Sequence, residues 1–95
     1  MSVLEVAQLS TKDGSGAAFE SAFSEAKLLI ESAPGHIESS LTRSTVTGEY
    51  VLLVQWRTLE DHVEKFVSSP DFAKFQGLIG EYLAGEPTVK HFQEL

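Results

Sequence analysis

Glu49-Tyr50-Val51-Leu52-Leu53-Val54-Gln55-Trp56-Arg57 is the segment that decides the fold. Successive side chains of an extended strand point to opposite faces, so Tyr50, Leu52, Val54 and Trp56 share one face while Val51 and Leu53 fill the other. Both faces call for burial, which places this strand inside a sheet that is covered on both sides. Just upstream, Thr45-Val46-Thr47-Gly48 is turn chemistry. Before it, residues 36 to 44 alternate, with Ile37 and Leu41 against His36, Glu38 and Ser40, so the two runs predict a hairpin. Pro34-Gly35 ends a helix over residues 15 to 33, in which Phe19, Ala22, Phe23, Ala26, Leu29 and Ile30 keep the rhythm of one helical face. Residues 3 to 9 alternate as a first strand and stop at Thr11-Lys12-Asp13-Gly14.

Downstream, Thr58 is placed to cap a helix whose first turn holds Glu60 and Asp61, favourable charges at the positive end of the helix dipole. Its expected buried stripe is Leu59, Val63, Phe66 and Val67. Ser69-Pro70 restarts the helix, with Phe72, Phe75, Ile79, Tyr82 and Leu83 as the apolar set, and Gly85-Glu86-Pro87 breaks it. Residues 88 to 93 supply a last strand with Val89 and Phe92 on opposite faces. The order is βαββαβ, a ferredoxin-like α+β domain over residues 1–95, with a four-stranded antiparallel sheet and helices on one face. The other face of such a sheet is bare, and the apolar residues pointing to it predict that a second copy covers it in a homodimer.

Composition narrows the function. In 95 residues, 42% are hydrophobic and 22% charged, which is a globular composition. Fourteen acidic against seven basic residues give a net charge of −7, so phosphate backbones and anionic bilayers are repelled and neither nucleic acid nor membrane is an expected partner. The chain has no cysteine, which removes disulfides, thiolate metal sites and cysteine nucleophiles together. The amino terminus has no basic region before an apolar stretch, and no eighteen apolar residues run together, so the expected location is the cytoplasm. The three histidines, His36, His62 and His91, fall on three different predicted elements, and none pairs with another at metal-ligand spacing; no metal is expected. Gly14-Ser15-Gly16 lies between a strand and a helix, but Asp13 adjoins it and the longer glycine fingerprint of phosphate sites is absent.

What remains is aromatic and apolar. Trp56 lies on one strand face with Tyr50, Leu52 and Val54, and the helical region opposite brings Phe66, Phe72, Phe75 and Tyr82. Any single phenylalanine reads first as core packing. The indole N–H of Trp56 must find a partner, and a pocket wall offers one. His62 falls between Leu59 and Phe66, so the apolar stripe passes through an ionisable imidazole, which is either tied to a backbone group or poised beside a cavity.

The run Tyr50 to Phe72, followed by Pro87-Thr-Val-Lys-His-Phe92, resembles the antibiotic biosynthesis monooxygenase family of dimeric α+β barrels. The likeness covers nearly the whole chain. It rests on a tryptophan closing the third strand, Trp56, on the helix start Leu59 to His62, and on the Ser-Pro-x-Phe restart Ser69 to Phe72. The resemblance implies a ferredoxin-like protomer pairing through its sheets, with a hydrophobic pocket between sheet and helices. Some members oxygenate aromatic polyketides or quinols without metal or flavin, and others cleave haem. The haem-cleaving branch uses an asparagine near the first strand and a tryptophan and histidine on the second helical region; this chain has no asparagine, its one tryptophan is on a strand, and residues 72 to 83 hold no histidine. In the polyketide branch an asparagine precedes the strand tryptophan, and Leu52 stands at that place.

The function expected is therefore a monooxygenase needing no cofactor, acting on a small electron-rich phenol, anthrone or quinol. His62 is the expected base and Trp56 the group that orients the ring, with Tyr50, Leu52, Phe66, Phe72, Phe75 and Tyr82 around the substrate. A dimeric domain that binds or senses a small ligand without chemistry is the alternative, with haem degradation third.

Overall fold

The computed structural model describes residues 2–95. Strand β1 (Val3–Ser10) leads through Gly14, at φ +77°, into helix α1 (Gly16–Glu31), followed by the hairpin of β2 (His36–Arg43) and β3 (Glu49–Trp56). A π-helical turn (Asp61–Phe66), helix α2 (Pro70–Ile79) and a 3-10 turn (Gly80–Tyr82) then cross back to β4 (Thr88–Phe92). The four strands lie in the order β2-β3-β1-β4, every neighbouring pair antiparallel, with helices on one face. This is the ferredoxin-like βαββαβ sandwich expected from the hairpin and the two helical stretches. Among the described residues no helix is long and apolar enough to cross a membrane.

The inner face of β3 is Tyr50, Leu52, Val54 and Trp56, all buried; β1 contributes Val3, Glu5, Ala7 and Leu9 beside them, with Glu5 opposite Val54 and Ala7 opposite Leu52. Helix α1 lays Phe19, Phe23, Ala26 and Ile30 on this surface, and α2 adds Phe75 and Ile79. The opposite face of the sheet carries Leu4, Val6, Val51 and Leu53, with Phe92 half exposed at its β4 edge.

The segment after β3 departs from the expected stripe. Phe66 is buried as predicted, but Leu59, Val63 and Val67 are each about two-fifths exposed, and Asp61 and His62 are buried instead. The cause is the π-helical turn, in which Val67 N–H bonds to the carbonyl of His62. This i→i+5 pattern inserts an extra residue into the turn and rotates the face that meets the sheet. Thr58 Oγ1 accepts from Asp61 N–H at 3.1 Å, and Ser69 caps α2 by accepting from Phe72 N–H, with Pro70 at its first turn. The helix ends at Ile79, earlier than the apolar pattern suggests. Lys12 N–H bonds to Tyr82 and Ala84 N–H to Ser10, so the chain is drawn across the end of β1 before β4 begins. Gly35, at φ +88°, lies against Asp61, and any Cβ there would run into that carboxylate.

Candidate functional site

A cavity of about 850 Å³ opens between the inner face of the sheet, the π-helical turn, α2 and the Gly85–Pro87 loop. Its floor is Ala7 and Leu9 of β1 and Leu52 of β3. Val63, Val67, Phe72, Phe75 and Ile79 wall it on the helical side, and Val89 closes the edge at β4. The polar side chains on its surface are Glu5, His62, Gln76, Glu86 and His91, and among the described residues no lysine or arginine lines it. This size and largely apolar lining suit a small organic ligand, and the absence of a cation disfavours a carboxylate or phosphate.

The chemistry is concentrated at one end. Glu5 Oε1 accepts from Trp56 Nε1–H at 2.9 Å and stands 3.4 Å from His62 Nε2. The other ring nitrogen of His62, Nδ1, is 2.8 Å from Nε2 of His91. Antiparallel pairing sets this arrangement up, because Glu5 and His91 are register partners on β1 and β4 and so project to the same face. His62 stacks on Trp56 with centroids 5.1 Å apart and planes 13° from parallel, and Phe66 packs against both rings. Burial pushes the Glu5 carboxyl up from its ordinary range, an effect opposed by the indole hydrogen bond. Burial, helped by the neighbouring His91, pulls His62 down to about 4, and burial lowers His91 as well. At neutral pH both imidazoles are uncharged, so each can accept a proton.

Of the residues expected from sequence, His62, Leu52, Phe72 and Phe75 line the cavity. Trp56 stands behind His62, 1% exposed, with its N–H committed to Glu5, so its ring meets the imidazole rather than the open space. Phe66 is buried between Trp56 and the Phe72–Phe75 pair. Tyr50 faces α1, where its hydroxyl donates to Glu20, itself held by Arg43 at 2.7 Å. Tyr82 packs on the core outside the cavity lining. His36 meets the edge of Trp56 at 6.3 Å and contacts Ser39, away from the other two histidines. Among the described residues no three acidic or histidine side chains converge as metal ligands would.

Sequence reasoning missed Glu5 and His91. The signal for Glu5 was present, since Val3, Glu5, Ala7 and Leu9 alternate onto the buried face and a carboxylate among them needs a partner. His91 shares the inward register of Val89, but only the strand pairing brings it to His62.

Comparison with known proteins bears on the whole chain. A YczJ protein of Bacillus subtilis, itself uncharacterized, is 39% identical over 94 residues, spanning 98% of this chain and 99% of its own length. A crystal structure from Bordetella bronchiseptica, assigned to antibiotic biosynthesis monooxygenases, superposes with a TM-score of 0.95 at 33% identity over 99% of this chain and 97% of that one. SnoaB, a cofactor-independent oxygenase from Streptomyces nogalater, shares the fold at TM-score 0.85 and 19% identity, covering 99% and 93% of the two chains. The profile of one family matches residues 2–78, and with these relatives it shows that the chain belongs to the antibiotic biosynthesis monooxygenase family.

Proposed function

We propose that the protein is a monooxygenase that works without metal or flavin on a small, uncharged, electron-rich aromatic such as a phenol, anthrone or quinol. The observation that carries this reading is a largely apolar cavity with a pair of uncharged imidazoles, backed by a carboxylate, on its wall. A substrate with an acidic C–H or O–H can be its own reductant once deprotonated. For an anthrone-like methylene, the imidazole pair removes one proton and the carbanion adds to dioxygen. The peroxide takes the proton back, and loss of water leaves a ketone, so that one CH2 and one O2 become one C=O and one H2O. The protein then has three tasks: to hold the ring, accept the proton and exclude water. Phe72, Phe75, Leu52 and the valines serve the first and last, and the His62–His91 pair serves the second. Trp56 orders the site by fixing Glu5 and backing His62. The family membership and the cofactor-independent oxygenase sharing the fold support the reaction class.

The apolar outer face of the sheet, with Leu4, Val6, Val51, Leu53 and the half-exposed Phe92, supports a homodimer formed face to face. The test of function is oxygen uptake by chelator-treated protein with a panel of anthrones and quinols. Protein-dependent uptake at one O2 per substrate supports the reading. Saturable binding with no uptake above the uncatalysed rate refutes it and leaves a ligand-binding domain.

A further inference from the structure

His62 was the expected base, yet both of its ring nitrogens are occupied: Nδ1 lies against His91 and Nε2 faces Glu5. Its side chain is 9% exposed, whereas His91 is half-buried on the cavity wall. Of the four ring nitrogens in the pair, Nδ1 of His91 is the one with neither a hydrogen-bond nor an ion-pair partner among the described residues. A proton arriving from the cavity therefore meets one unengaged nitrogen in the pair.

We propose that His91 is the catalytic residue that takes the proton from the substrate, and that His62 and Glu5 are positioning residues arranged behind it as a relay. This deepens, and rests on, the monooxygenase reading. The substrate proton binds Nδ1 of His91 as its bonding electron pair stays on the substrate. His91 passes its Nε2 proton to Nδ1 of His62, which already bears a proton on Nε2. His62 becomes the imidazolium in passing, its charge favoured by the Glu5 carboxylate it faces and opposed by burial, so the proton is held at the buried end of the relay only until it returns. The 3.4 Å separation of His62 from Glu5 is long for a neutral hydrogen bond. It is placed to shorten to about 2.8 Å when the imidazole gains its charge, since charge-assisted bonds are the short ones. Trp56 donates to the same Glu5 oxygen that His62 faces, so the carboxylate has a fixed position before the proton comes. The ionisable groups around the relay are Glu5, His62 and His91 themselves and Glu86 on the cavity wall, while His36 reaches only the edge of Trp56. The return path is the same: the imidazolium hands its proton outward to the peroxide oxygen.

Two measurements on the full chain test this. In the first, imidazole nitrogens of the resting, uniformly ¹⁵N-labelled protein are assigned at neutral pH by NMR. The relay requires His62 and His91 both to be Nε2–H tautomers; a His62 carrying its proton on Nδ1 would donate to His91 in the wrong direction and overturns it. This readout needs no turnover, so it decides the relay even if oxygen uptake fails and the monooxygenase reading falls. In the second, His91→Gln is expected to lower kcat of oxygen uptake by about 10²-fold or more with KM changed less than about threefold. Added imidazole should restore turnover to His91→Ala, whose base faces the cavity, but not to His62→Ala. Glu5→Gln removes the charge that favours the imidazolium, so the acidic limb of its kcat profile should move to lower pH; a merely structural loss would scale the rate equally at every pH. Parental kcat in a folded His91→Gln, with loss in His62→Gln, would return the base to His62 and refute the proposal.

Discussion

Replacing Trp56 with phenylalanine removes one hydrogen-bond donor from a buried carboxylate, and the structure gives the size and the pH dependence of the penalty. Glu5 is 6% exposed and its Oε1 receives the indole N–H at 2.9 Å. A hydrogen bond to a charged group contributes about 1.5–3 kcal/mol, and the smaller ring leaves a void costing about 1 kcal/mol more. The expected loss near pH 7.5 is thus about 3 kcal/mol, or roughly 12 °C in Tm for a domain of this length. The hydrogen bond favours the ionised carboxylate. Its contribution is therefore present above the folded pKa of Glu5, which burial raises, and is lost as pH falls through that value. Near pH 4, below that raised value, the indole N–H meets a neutral carboxyl oxygen and the difference should shrink to about 2 kcal/mol, the void plus a neutral hydrogen bond. Urea unfolding of parent and Trp56→Phe at the two pH values, at one protomer concentration because association adds to stability, makes the comparison. In a Glu5→Gln background the same substitution should cost less by about 1.5 kcal/mol, the coupling between the two side chains. An equal penalty at both pH values with no coupling would refute the placement of an ionised carboxylate at the back of the site.

Other outcomes follow from single contacts. His62, with a folded pKa of about 4 against 6.5, binds its proton first in the unfolded chain, so its neutrality costs stability as pH falls through that window. Discounted for solvent reaching it from the cavity, the parent should lose about 1 kcal/mol more than His62→Gln between about pH 7 and pH 5 by urea titration, and parallel curves would contradict the burial of the imidazole. Gly35→Ala places a methyl group on Asp61 at a left-handed backbone position and should cost at least about 2 kcal/mol in thermal unfolding; a change under about 0.5 kcal/mol would disprove that contact. Leu53→Glu, in the middle of the outer sheet face, should halve the sedimentation mass of a dimeric parent, and a parent that already sediments as a monomer at about 50 μM would end the homodimer proposal.

The fold was legible because its signals are local. The two-sided apolar pattern of residues 50–56 marked an internal strand, the Thr47-Gly48 turn joined it to β2, and Ser69-Pro70 marked the start of α2. The turn between Asp61 and Phe66 was not legible, because a π-helical turn has no distinct composition and helical periodicity assigns its faces wrongly by one residue. The site was half legible. His62 and the phenylalanines stood out on one stripe, but Glu5 and His91 join them only through strand register between segments more than eighty residues apart. An indole N–H was known to need a partner; that the partner is a buried carboxylate, with the ring turned away from the cavity, is a consequence of tertiary packing.

The most direct test of the central claim is an oxygen-electrode measurement on metal-stripped, flavin-free protein supplied with an anthrone, in parallel with His91→Gln. The account predicts protein-dependent consumption of one O2 per anthrone, a ketone product, and loss of at least about 10²-fold of that rate in the variant. Uptake that appears only after a metal or flavin is restored, or none beyond the spontaneous rate with any phenol, anthrone or quinol, would contradict it.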